Sequence, residues 1–251
     1  GAGEGNGSFM RFQRTAGDTQ TNGTGITQGL ETKDSTYLAG QEITLSFRAR
    51  AGANWSPTSG RLQGFVVGGE GTDQSSVGMT NTDNIITVNA DMSTGSSFAT
   101  FSGSGTVPSD KTQIGIRFSF IPVGTAGAND YFDIRNIQVE IGGTTTTFEQ
   151  LQIGDELALC QRYYQILPTL NVDYNASGGS VFGYSTVAFT TSMRATPTMS
   201  AVPAATGGAA NNAAQIFTDN LTSGVSFRVQ STGSGRVYYL TAQGATASAE
   251  L

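Results

Sequence analysis

The sequence predicts an all-β protein: a jelly-roll β-sandwich, then a short linking helix, then a smaller C-terminal β-sandwich domain. Three observations predict it. Charged residues make up only 13% of the chain, against about 25% in an ordinary globular protein. Glycine occurs 34 times in 251 residues, which suits many turns and few helices. Apolar and polar residues alternate at period two over much of the chain, the pattern of a strand with one face buried. Disorder is not the reading, because aromatic residues reach 9% and the net charge is only -6, whereas disordered chains combine high charge with few aromatics.

The first domain spans residues 1–143. Its clearest strand places Ile43, Leu45, Phe47 and Ala49 on one face and Thr44, Ser46, Arg48 and Arg50 on the other. A second sets Ile114, Ile116, Phe118 and Phe120 inward until Pro122, which cannot donate to a ladder, stops it. Further strands are read at 8–14, 25–31, 61–67, 84–89, 97–106 and 131–141, separated by Gly, Asn, Asp, Ser and Thr clusters. Eight strands without helical periods between them predict two packed antiparallel sheets, for which a jelly roll is the common arrangement. Within 131–141 the buried parity slips between Phe132/Ile134 and Ile137/Val139/Ile141. A β-bulge near Arg135–Asn136 is therefore expected.

Residues 144–168 change character. A Gly/Thr linker leads to Leu157, Cys160, Tyr164 and Ile153 at helical spacing, with Asp155 and Glu156 placed for the first turn. The second domain, 169–251, returns to alternation at 181–191, 198–202, 214–218, 224–230 and 236–242. The Ala/Gly/Asn tract at 204–214 reads as a loop tip.

Composition also excludes chemistry. With no histidine, Ser-His-Asp and Cys-His catalysis and His-ligated metals are absent. A single cysteine permits no internal disulfide and no Cys cluster. A pI near 4.6 with scattered basic residues offers no stripe for a phosphate backbone, so nucleic acid is not an expected partner. No apolar run approaches the ~20 residues that span a bilayer, and no signal peptide is visible. A soluble chain without membrane insertion is expected. It begins at Gly1 rather than Met, so an upstream portion is expected as well.

The run Phe148-Glu149 followed by Glu156-Leu157-Ala158-Leu159-Cys160-Gln161-Arg162-Tyr163-Tyr164-Gln165 resembles a segment of tail-fibre and other virion structural proteins of tailed bacteriophages. There it follows a carbohydrate-binding-module-like jelly roll. Leu38–Arg50 looks like the second-strand signature of that jelly roll, and Ile137–Gly142 like its last strand. Met193-Arg194-Ala195-Thr196-Pro197-Thr198 and the terminal Ala249-Glu250-Leu251 look like the C-terminal domain. The resemblance implies a protein of the phage particle surface, a homotrimer in contact with other virion proteins. It would be a tail-fibre or spike component touching a host surface glycan, or alternatively a capsid decoration or head-fibre protein. No catalytic activity and no cofactor are expected.

Candidate sites follow. Trp55, the one tryptophan, lies in a Gly/Ser/Pro loop where its ring either stacks on a pyranose or anchors the loop. It is taken as a candidate contact with Tyr37, Tyr174 and Tyr184, the latter two expected in loops. Few charges predict a neutral or weakly charged glycan. Cys160 is expected to be a buried thiol, and Tyr163 and Tyr164 to pack between the domains or on a subunit contact. Asp130/Asp133 and Glu70/Asp73 are the carboxylate pairs a glycosidase would need. Sequence proximity alone does not make them one, and the repeats of a β-helical depolymerase are absent. The calcium aspartate of similar jelly rolls falls on Arg135, which cannot ligate a cation. No metal is expected.

Overall fold

The structure is a computed structural model that describes residues 8–92, 94–95, 97–168, 171–179, 181–200, 204–208, 221–231, 233–241 and 246–250. The chain is all-β. It divides into two compact units, Gly1–Glu149 and Gln150–Glu250.

The first unit contains β1 (Met10–Gln13), β2 (Thr24–Gly29), α1 (Thr32–Leu38), β3 (Glu42–Ala51), β4 (Arg61–Glu70), β5 (Thr80–Asp91), β6 (Ala99–Thr106), β7 (Gln113–Phe120) and β8 (Tyr131–Ile141). One sheet runs β1-β8-β3-β6 and the other β2-β7-β4-β5, with every pairing antiparallel. Alternation explains the core between them. Ile43, Leu45, Phe47, Phe132 and Ile134 from the first sheet meet Leu62, Val66, Ile86, Ile114 and Phe118 from the second in one cluster. Phe47 and Phe118 touch edge to face at 4.9 Å. Gly64 is required opposite them, because a Cβ there would sit 2.9 Å from Phe47.

The expected bulge is present. Ser46 pairs with Gln138 and Arg48 with Arg135, so β8 carries one residue more than β3, and Asn136 takes φ 52°. That extra residue lets Phe132 and Ile137 face the same core despite opposite parity.

Helix α1 is not foreseen by periodicity, since Thr32-Lys33-Asp34-Ser35-Thr36-Tyr37-Leu38 has no apolar stripe. Tertiary bonds hold it instead. Buried Ser35 accepts from Ile114 N–H at 3.0 Å, and Thr32 and Asp73 exchange hydrogen bonds at 2.9 and 2.7 Å.

The second unit contains α2 (Ile153–Gln161), β9 (Tyr164–Ile166), β10 (Asn171–Ser177), β11 (Phe182–Ala188), β12 (Thr198–Met199), β13 (Ala204–Gly208), β14 (Gly224–Gln230), β15 (Ser234–Thr241) and β16 (Thr246–Ser248). They form small antiparallel sheets, β10-β15-β13, β11-β14 and β12-β16-β9. Among the described residues of this unit two apolar clusters form: Leu167, Phe189, Met193, Val225, Ala247 and Ala249 in one, Val172, Ala176, Val229 and Val237 in the other.

Two sequence readings are corrected here. Tyr164 belongs to a strand rather than to the helix, which ends at Gln161. Residues 204–208 of the supposed loop tip pair with β15; the rest of that tract and the expected strand at 214–218 lie outside the described residues. Strand β10 has a sequence signal of its own, for Val172, Tyr174 and Ala176 alternate with polar neighbours.

Candidate ligand-binding surface

The outer face of the β1-β8-β3-β6 sheet brings together a cluster of paired charges. Register places Arg11 of β1 opposite Asp133 of β8, and Asp133 opposite Arg50 of β3. The three side chains thus stand side by side on adjacent strands. Asp133 is fully buried and accepts from both arginines. Arg11 Nε and Nη2 bond its two oxygens at 2.7 and 3.0 Å, while Arg50 Nε bonds Oδ2 at 2.8 Å. The arginines remain open to solvent, 38% and 32% exposed. The hydrogen bond to Asp133 is the main cause that raises the Arg11 pKa above its ordinary value.

Aromatic rings interleave with these cations. The Arg11 guanidinium lies 3.6 Å from the Tyr131 centroid and 5.8 Å from Phe9. Arg50 lies 5.1 Å from Phe9 and 4.6 Å from Phe98, and Arg135 lies 4.1 Å from Phe98. Contacts of this kind favour a cation over the negative face of a ring. Phe9 is the open ring of the set, 45% exposed, whereas Phe98 is buried.

Behind this face lies a second, buried ionic cluster. Arg14 Nη1 and Ser56 Oγ donate to Asp130 Oδ2 at 2.9 and 2.6 Å, and Arg14 Nη2 donates to the carbonyls of Asp18 and Gln20. It ties the segment after β1 to the loops before β4 and β8, and it borders a cavity of about 400 Å³ whose walls include Phe12, Asp18, Asn22 and Pro122. Asp130 and Asp133 are both fully buried and each is engaged by arginine, so neither is placed to act as a solvent-accessible acid or nucleophile. Glu70 instead accepts from Asn81, and Asp73 holds α1. No group of three or more metal-ligating side chains occurs among the described residues.

The residues singled out in the sequence are scattered. Trp55 is only 7% exposed: its ring packs at 4.6 Å on Phe120 and 6.0 Å on Phe132, and its Nε1–H donates to Gly60 O. It is the loop's anchor, and the stacking role is corrected, because the ring is buried against the core's aromatics. Tyr174 is half-buried. It lies on β10 rather than in a loop, and its hydroxyl sits 3.0 Å from the carbonyls of Val181 and Val229. Tyr184, on β11, and Tyr37, on α1, are exposed at 66% and 73%. They stand on different units.

Cys160, expected to be buried, is exposed. The reason is that no residue of α2 is buried, so its stripe finds no cover among the described residues. Tyr163 is half-buried with Arg194 5.9 Å from its ring, and Tyr164 is exposed on β9. Arg11, Arg50 and Phe9 are not singled out in the sequence, and Asp133 enters there only as half of a carboxylate pair with Asp130. Arg11, Arg50 and Asp133 each read as outward-facing on their own strands, but only register joins positions 11, 50 and 133. No protein-family model, curated protein or solved structure matches this chain.

Proposed function

We propose that the chain is a non-catalytic structural component of a tailed-phage virion, a tail-fibre or spike part that assembles as a homotrimer and meets a host surface glycan. The observation that carries this reading is the segment where the phage resemblance is strongest. There, Ile153 is 81% exposed, and Leu151, Leu157, Leu159, Tyr164 and Ile166 are exposed with it. A nine-residue helix is too short to persist by itself in water, and six open apolar side chains in one stretch mark a contact surface. Further copies of the chain are the occupant that fibre assembly supplies. The strand orders β1-β8-β3-β6 and β2-β7-β4-β5 support reading the first unit as a jelly roll, as in the proteins it resembles.

Immunogold labelling of intact particles tests the location. Label on tail appendages supports the reading, label on the head favours the capsid-decoration alternative, and unlabelled particles overturn both.

A further inference from the structure

We infer that Arg11 and Arg50, held by Asp133 and flanked by Phe9, form a binding site for the carboxylate of an acidic polysaccharide. The inference rests on the adhesive reading above and names its ligand class, replacing the neutral glycan that the low charge content suggested.

Two guanidiniums share one buried carboxylate, so the trio carries a surplus positive charge. Arg50 engages Asp133 through Nε alone, and its Nη1 and Nη2 donors make no hydrogen bond among the described residues; Arg11 is held through Nε and Nη2 by Asp133 and sits against Tyr131. A guanidinium presents five N–H donors in a fixed fork, and a fork whose one side is pinned offers the other in a set orientation. That is preorganisation, which removes part of the ordering cost of binding an anion.

Charge complementarity selects a carboxylate, because arginine forks match its planar geometry. Phe9 adds the second element. An exposed ring beside the arginines gives the apolar face of a sugar ring a place to stack, which a peptide carboxylate or a bare anion does not use. The chain as a whole is acidic, net -6, so long-range attraction is absent and recognition depends on this local surplus.

The test is retention of the full chain on polygalacturonate, dextran and polyglutamate at low salt. Retention on polygalacturonate alone is expected. It should weaken about tenfold in Arg11→Gln, the scale of one charge-assisted hydrogen bond, and also in Phe9→Ala, whose exposed ring can be removed without unmaking the core. About 1 M salt, where screening acts over about 3 Å, should abolish it. Equal retention on polyglutamate, or retention unchanged in both variants, overturns the site. Salt-insensitive retention on dextran overturns the acidic ligand and leaves the adhesive reading standing. Failure to bind any of the polysaccharides overturns both.

Discussion

At the scale of single residues, the first unit depends on buried charges that are paired. Arg14 and Asp130 are both buried, and burying an ion is tolerable only when its partner remains. Asp130→Ala should therefore lower stability by about 3–5 kcal/mol, and Ser56→Ala by about 1 kcal/mol, in urea titrations. A change below about 1 kcal/mol for Asp130→Ala would mean that Arg14 finds water instead. Trp55→Ala should cost about 3–5 kcal/mol through the lost core contacts, while the protein that stays folded keeps its glycan retention. Retention lost without destabilisation would restore Trp55 as a contact residue.

Glu140 gives the residue scale its pH dependence. Its side chain accepts from the Thr146 hydroxyl and N–H and from Gln138, and these bonds, led by that from the hydroxyl, hold its pKa below the ordinary glutamate value of 4.5. A lowered carboxylate pKa contributes stability above the ordinary value, and that contribution is lost as pH falls through the lowered one. The Thr146 amide resonance should accordingly titrate with a midpoint below 4.5, and should not titrate in Glu140→Gln. A midpoint at or above the ordinary value would contradict the anchoring of this linker.

Among the elements, β8 is where sequence and register meet most closely. Asn136 occupies the left-handed region at φ 52°, a conformation that asparagine and glycine accept and that costs other residues roughly 1–2 kcal/mol. Asn136→Val should destabilise by about that amount, whereas Asn136→Gly should leave the urea midpoint nearly unchanged. Equal losses in both would show that the side chain, not the backbone, holds the bulge. The element matters to the surface, because the bulge resets the parity of β8 between Asp133 and Gln138. Helix α1 shows the opposite case. Its polar sequence carries no amphipathic signal, and it exists because Gln113, fully buried, donates to Thr32 and accepts from Gln74 N–H, fixing α1 and the 71–78 loop to β7.

For the molecule as a whole, the open apolar stretch around α2 predicts self-association. Light scattering should return three times the 26.1 kDa chain mass, and Leu157→Glu should return one, because a buried unpaired carboxylate opposes assembly. Cys160 reports the same event independently. Its thiol is exposed in the single chain, so it should react slowly with a thiol reagent in the assembled protein and fast in Leu157→Glu. Equal rates, together with a monomer mass for the wild type, would remove α2 as a subunit contact.

By itself the sequence determined the all-β class, the eight strands of the first unit, the bulge and the presence of α2. Each of these is a local signal: Ile43 to Ala51 or Tyr131 to Ile141 show their faces by period-two alternation, and hydrophobicity imposes that period wherever one face is buried. Only the tertiary structure decided which aromatics are open and which charges meet. Trp55 and Phe9 are both isolated aromatics near strand ends in sequence, yet one fills the space beside Phe120 and Phe132 while the other stands beside Arg11 and Arg50. The Arg11–Asp133–Arg50 trio spans sequence separations of 122 and 83 residues. Alternation tells which way a side chain points, but not which strand lies next to it; that neighbour is fixed by sheet order and register, set by the packing of the whole sandwich.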